Sequence, residues 1–166
     1  MAIEEAAYAA LFKMGLSGLK NGLTRFFKKK PLSIEEIKKR AQVLFIDDES
    51  FDALLTNIRQ AGWNVKQQKD IDNFDAENLK NADIIFVDFK GVGAILSPKE
   101  EGIGLMKHLK HKYPEKHIIF YSGYAGVLPG YEVHDIADGW IQKNADAYVY
   151  IEHIETAARK LYAGKR

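Results

Sequence analysis

The sequence has 166 residues, of which 46% are hydrophobic and 28% charged, and a formal net charge of +1. That balance fits one ordinary globular domain plus an appendage and predicts neither an acidic partner nor nucleic acid binding. Cysteine is absent, which excludes disulfides, thiol catalysis and Cys-ligated metal centres and fits a cytoplasmic protein.

No segment is long and apolar enough to span a membrane, and Glu4 and Glu5 come too early for a secretory signal. The charge is uneven. Residues 1–40 carry nine Lys and Arg against four Glu, and the remainder carries fifteen against nineteen acids. A basic head on a mildly acidic body needs an account.

Residues 3–27 have the period of an amphipathic helix. Tyr8, Phe12, Leu16, Leu19, Leu23 and Phe26 recur at steps of three and four and share one face. Gly15, Gly18 and Gly22 weaken such a helix by up to ~1 kcal/mol each relative to alanine. A partner is therefore expected to complete it. The candidates are its own domain, a second copy, or a membrane surface approached through Lys13, Lys20, Arg25 and Lys28–Lys30. Pro31 ends the segment. Ser33, with Glu35 and Glu36 in the first turn, starts a short helix over 34–40. The expected division is an extension over 1–40 and a main domain over 41–166.

From there strands and helices alternate. Val43–Ile46 reads as a buried strand, and Phe51, Leu54, Leu55 and Ile58 mark a helix that stops at Gly62. Asn64–Lys66 is a weak strand, and Ile84–Val87 is a clear one. Leu105, Met106, Leu109 and Tyr113 mark a helix ended by Pro114. Ile118–Tyr121 and the short Trp140–Ile141 complete the strands. Val149, Ile151, Ile154, Ala157, Ala158 and Leu161 mark a final helix. This alternation predicts an α/β fold, a doubly wound parallel sheet with helices on both faces.

Ligands bind beyond the carboxyl ends of the strands in such sheets. Asp47 and Asp48 follow the first strand, Asp88 the third, Ser122 the fourth and Lys143 the fifth. Crowded carboxylates repel unless a cation sits among them, and Mg2+ takes two or three acids while keeping several waters. A lysine and a hydroxyl beside a carboxylate can hold a phosphoryl group. These are the parts of phosphoryl transfer to aspartate.

The set resembles the receiver domain of two-component response regulators over about residues 41–162. The resemblance implies a flavodoxin-like sheet of order 2-1-3-4-5. It implies Asp88 as phosphoacceptor, Asp48 on Mg2+ directly and Asp47 largely through water, with the backbone carbonyl of Lys90 as a further ligand. Ser122 and Lys143 would hold the phosphoryl group, Gly123 would be the small residue beside it, and Trp140 would occupy the aromatic switch position. Implied partners are a histidine kinase or phosphotransfer protein and a downstream protein reached by contact. With the chain ending at Arg166, a stand-alone receiver is expected, not an enzyme beyond self-catalysed phosphoryl transfer. Departures from the family pattern are the long connection Phe89–Glu101, Asn144 in place of the usual proline after the lysine, and the ill-specified stretch Val127–Tyr131.

Other readings compete. Asp48 or Ser50 could simply cap the first helix of the main domain. A receiver-shaped binding or scaffold module could use its N-terminal helix for dimer or membrane contact without phosphorylation. A haloacid-dehalogenase-type phosphatase would use Asp47 and Glu49, but it needs further acids after the lysine. Gly91-x-Gly93 lacks the rest of a dinucleotide fingerprint. His108, His111 and His117 complete no ligand spacing and are expected to face solvent.

Overall fold

The computed structural model describes residues 31–123 and 136–163. The helix expected over 3–27 and the stretch Val127–Tyr131 lie outside the described residues. Ser33 accepts a hydrogen bond from the Glu36 amide, and Glu36 accepts one from the Ser33 amide. This reciprocal cap opens α1, Ile34–Arg40. The unit that holds the sheet runs Leu32–Lys165, so α1 packs as part of it, with Ile37 buried in its core.

Strand β1 is Gln42–Ile46, α2 is Asp52–Gln60 and β2 is Asn64–Gln68. Helix α3, Glu77–Asn81, precedes β3, Ile84–Asp88. Then follow α4, Glu101–Lys112, β4, His117–Ser122, β5, Gly139–Gln142, and α5, Ala147–Tyr162. The five strands are all parallel, in the order β2-β1-β3-β4-β5. This is the doubly wound parallel sheet that the alternation predicted, in the flavodoxin-like order that the resemblance implied.

Because successive strand residues point to opposite faces, uninterrupted apolar strands feed two cores at once. On one face Phe45, Phe86 and Tyr121 pack with Ile58 of α2 and with Tyr150 and Ile154 of α5. The Phe45 and Phe86 rings stack with centroids 4.3 Å apart. On the other face Leu44, Ile85, Val87 and Phe120 pack with Leu79 of α3 and with Leu105 and Leu109 of α4. The sheet is thereby sealed on both sides, leaving its carboxyl edge as the place where polar side chains can gather.

Candidate functional site

Strand register builds the site. Ile46 pairs with Val87, Asp88 with Tyr121, and Ser122 with Gln142. The residues at or just past these positions therefore lie along one edge. Two backbone bonds lock the last of them in place: the Asp47 amide donates to the Gln68 carbonyl at 3.0 Å, and the Lys143 amide to the Ser122 carbonyl at 2.8 Å.

Carboxylate oxygens of Asp47, Asp48 and Asp88 lie within 4.8 Å of one another. Lys143 Nζ donates to Asp88 Oδ2 at 2.7 Å and lies 3.0 Å from Asp47 Oδ2 and 3.0 Å from Glu49 Oε2. The convergence expected of 47, 48, 88 and 143 is thus present. Ser122 is buried at the end of β4 and lines the same crevice, an open space of about 370 Å³ shared with Lys90, Gly91 and Gly123. Trp140 stands apart: it packs against the α4-side core, and its Nε1 is buried without a hydrogen-bond partner among the described residues. Neither Asp48 nor Ser50 caps α2, whose N-cap is Phe51 with no side-chain bond. His108 and His111 are exposed.

Electrostatics follow from crowding. Burial pushes the Asp88 carboxyl above its ordinary value; Lys143 pulls it back and Asp47 raises it further. Burial alone would lower the Lys143 ammonium, but hydrogen bonds to Asp88, Glu49 and Asp47 hold it above its ordinary value. Lys143 therefore stays a cation. Three hard carboxylates of this kind could together hold a metal ion.

The long connection after β3 is pegged rather than loose. Val92 is buried, and Asp70 Oδ1 accepts the Gly93 amide at 2.6 Å. Gly91 has φ +78, and a Cβ there would overlap the Asp48 carboxylate. The backbone at 91 therefore sits directly on the acid, and only glycine allows that approach.

Of four further residues here, sequence reasoning missed three and had Glu49 only in the phosphatase reading. Tyr121 donates its hydroxyl to Asp47 Oδ2 at 2.6 Å. Gln67 on β2 donates to the carbonyls of Asp47 and Glu49. Glu49 reaches Lys143, and the Phe51 ring lies 5.1 Å from Lys143 Nζ. Tyr121 and Gln67 lie within strands and look like core and edge residues in the sequence. Only the adjacency of Glu49 to the acidic pair gave a signal.

No family model matches the sequence, and no curated protein matches it. Solved structures do share its fold. A response regulator from Burkholderia pseudomallei, solved with a phosphorylated aspartic acid, a calcium ion and citrate, is 26% identical. Its TM-score is 0.53 over 74% of this chain and 71% of that one. A response regulator receiver domain protein from Methanospirillum hungatei JF-1 is 21% identical, with TM-score 0.54 over 73% of this chain and 95% of that one. NtrX from Brucella abortus is 23% identical with TM-score 0.59, and the match spans 27% of its length. The fold of this chain is the response-regulator receiver fold.

Proposed function

We propose that the domain is a signalling receiver that accepts a phosphoryl group on Asp88. The observation that carries this reading is the contact of Lys143 Nζ with Asp88 Oδ2 at 2.7 Å, beside the carboxylate trio. Asp88 Oδ1 accepts the Phe89 amide at 2.7 Å and Oδ2 accepts Lys143, so both oxygens are oriented. In the transfer, an Asp88 oxygen forms a bond to phosphorus. The phosphorus–nitrogen bond of a phosphohistidine donor breaks, and its electron pair returns to the imidazole. Lys143 then holds a phosphoryl oxygen, and the Ser122 hydroxyl donates to another. A Mg2+ ion held by Asp48 and Asp88, by Asp47 through water and by the Lys90 carbonyl would supply charge neutralisation.

Output in this reading is by protein contact, with Trp140 as the side chain that repacks when Ser122 is drawn inward. The donor is a histidine kinase or phosphotransfer protein. Residues 3–27 supply a further contact, to a second copy or to the membrane surface, for a protein otherwise in the cytoplasm. Among the described residues no helix is long and apolar enough to cross a membrane.

The test is intact mass after incubation with Mg2+ and acetyl phosphate. A gain of one phosphoryl group, absent in Asp88→Asn and absent with chelator, is the expected result. No gain with any small phosphodonor would leave a receiver-shaped binding module as the better reading.

A further inference from the structure

Glu49 is the acid at this site that the reading above leaves unused. It lies outside the trio that could share a cation. Its side chain is 67% exposed, yet its carboxylate stands 3.0 Å from Lys143 Nζ. Its position is not left to chance. The Glu49 amide donates to Asp47 Oδ1 at 2.8 Å, and Gln67 Nε2 donates to the Glu49 carbonyl. With its backbone fixed from both sides, the side chain starts from a set point on the wall of the crevice that Asp48, Asp88, Lys90 and Lys143 also line.

We propose that Glu49 is a specificity-determining residue that discriminates among phosphodonors by their charge. The inference rests on Asp88 being the phosphoacceptor. A donor must enter through the open side of the crevice, where Glu49 is the exposed carboxylate beside Lys143. There it does two things. It repels an anionic donor in proportion to the donor's charge. It also occupies the lysine that would otherwise draw the donor's phosphoryl oxygens. Because Glu49 is solvent-exposed, both effects weaken as salt screens them. A merely structural residue would show neither the dependence on donor charge nor that on salt.

The experiment compares phosphorylation rates of the wild type, Glu49→Gln and Glu49→Lys, with Mg2+ at saturation. The donors are acetyl phosphate, a dianion, and phosphoramidate, a monoanion. Glu49→Gln keeps both backbone bonds, and a matching thermal melt checks the fold. At low salt Glu49→Gln should gain roughly five-fold with the dianion and about two-fold with the monoanion. Both gains should shrink toward unity in concentrated salt. Glu49→Lys should gain more and keep the same order of donors. Equal gains for both donors, gains insensitive to salt, or slower transfer would overturn the proposal while leaving Asp88 as acceptor. A wild type that takes no phosphoryl group from either donor would overturn both readings together.

Discussion

Asp47 has no exposed surface, so donors from the protein stand where bulk water would otherwise solvate its carboxylate. Oδ1 accepts the Glu49 amide, and Oδ2 takes the Tyr121 hydroxyl and Lys143. Burying a carboxylate is tolerable only when such bonds replace water. Burial pushes the Tyr121 hydroxyl well above its ordinary value, as does its hydrogen bond to Asp47. The phenol therefore remains a neutral donor across the working pH range. Tyr121→Phe keeps the ring, including its edge contacts to Phe45 and Phe86 at 5.7 and 6.1 Å, and removes only the hydroxyl. The expected loss is about 1.5–3 kcal/mol, the usual range for a hydrogen bond to a charged group. Urea denaturation with an unchanged slope would measure it; no loss would mean that water or Lys143 replaces the phenol.

Elements differ in how far the sequence announces them. Strands β1, β3 and β4 were legible because Val43–Ile46, Ile84–Val87 and Ile118–Tyr121 are unbroken apolar runs, as a sheet covered on both faces requires. The ends of those runs placed Asp47, Asp48, Asp88 and Ser122 at one edge, and the short strand Trp140–Ile141 placed Lys143 beside them. Helix α3 was not legible. It has five residues, one of them the buried Leu79, and a single apolar position carries no period. The roles of Tyr121 and Gln67 were hidden for a different reason: they depend on which strand lies beside which, and no local pattern encodes a bond between residues so far apart in the chain. The short helix α1 was visible from its cap, but its place was not. Ile37 is buried among core residues, and Asn64 Nδ2 donates to the carbonyls of Lys38 and Lys39 at 3.1 and 3.3 Å. Ile37→Ala is expected to destabilise the domain by ~2–4 kcal/mol, as for other buried truncations. A loss under about 0.5 kcal/mol in urea titration, the size of a surface change, would mean α1 is only loosely attached.

At the scale of the whole molecule, the site and the stability of the fold are one thermodynamic system. Burial raises Asp88, so the native state holds its proton to a higher pH than the unfolded chain, whose carboxyl keeps the ordinary value of 3.8. The sign follows. As pH rises through the window between the ordinary and the raised value, the unfolded state releases its proton first, and stability falls. Above that window ionised Asp88 is a standing burden on the fold, only partly offset by Lys143. A divalent cation that binds the native trio acts in the opposite direction. At a hundred times its dissociation constant it adds about 2.7 kcal/mol. Three melts therefore form a set. Wild-type protein at neutral pH should gain stability with Mg2+. Asp48→Asn should lose most of that gain, because Asp48 is the exposed member of the trio. Asp88→Asn should start out more stable than the metal-free wild type and show little response to Mg2+. If Asp88→Asn were instead the less stable protein without metal, the Lys143–Asp88 contact would outweigh the burial of the carboxylate, and the site would be a structural ion pair before it is a place for chemistry.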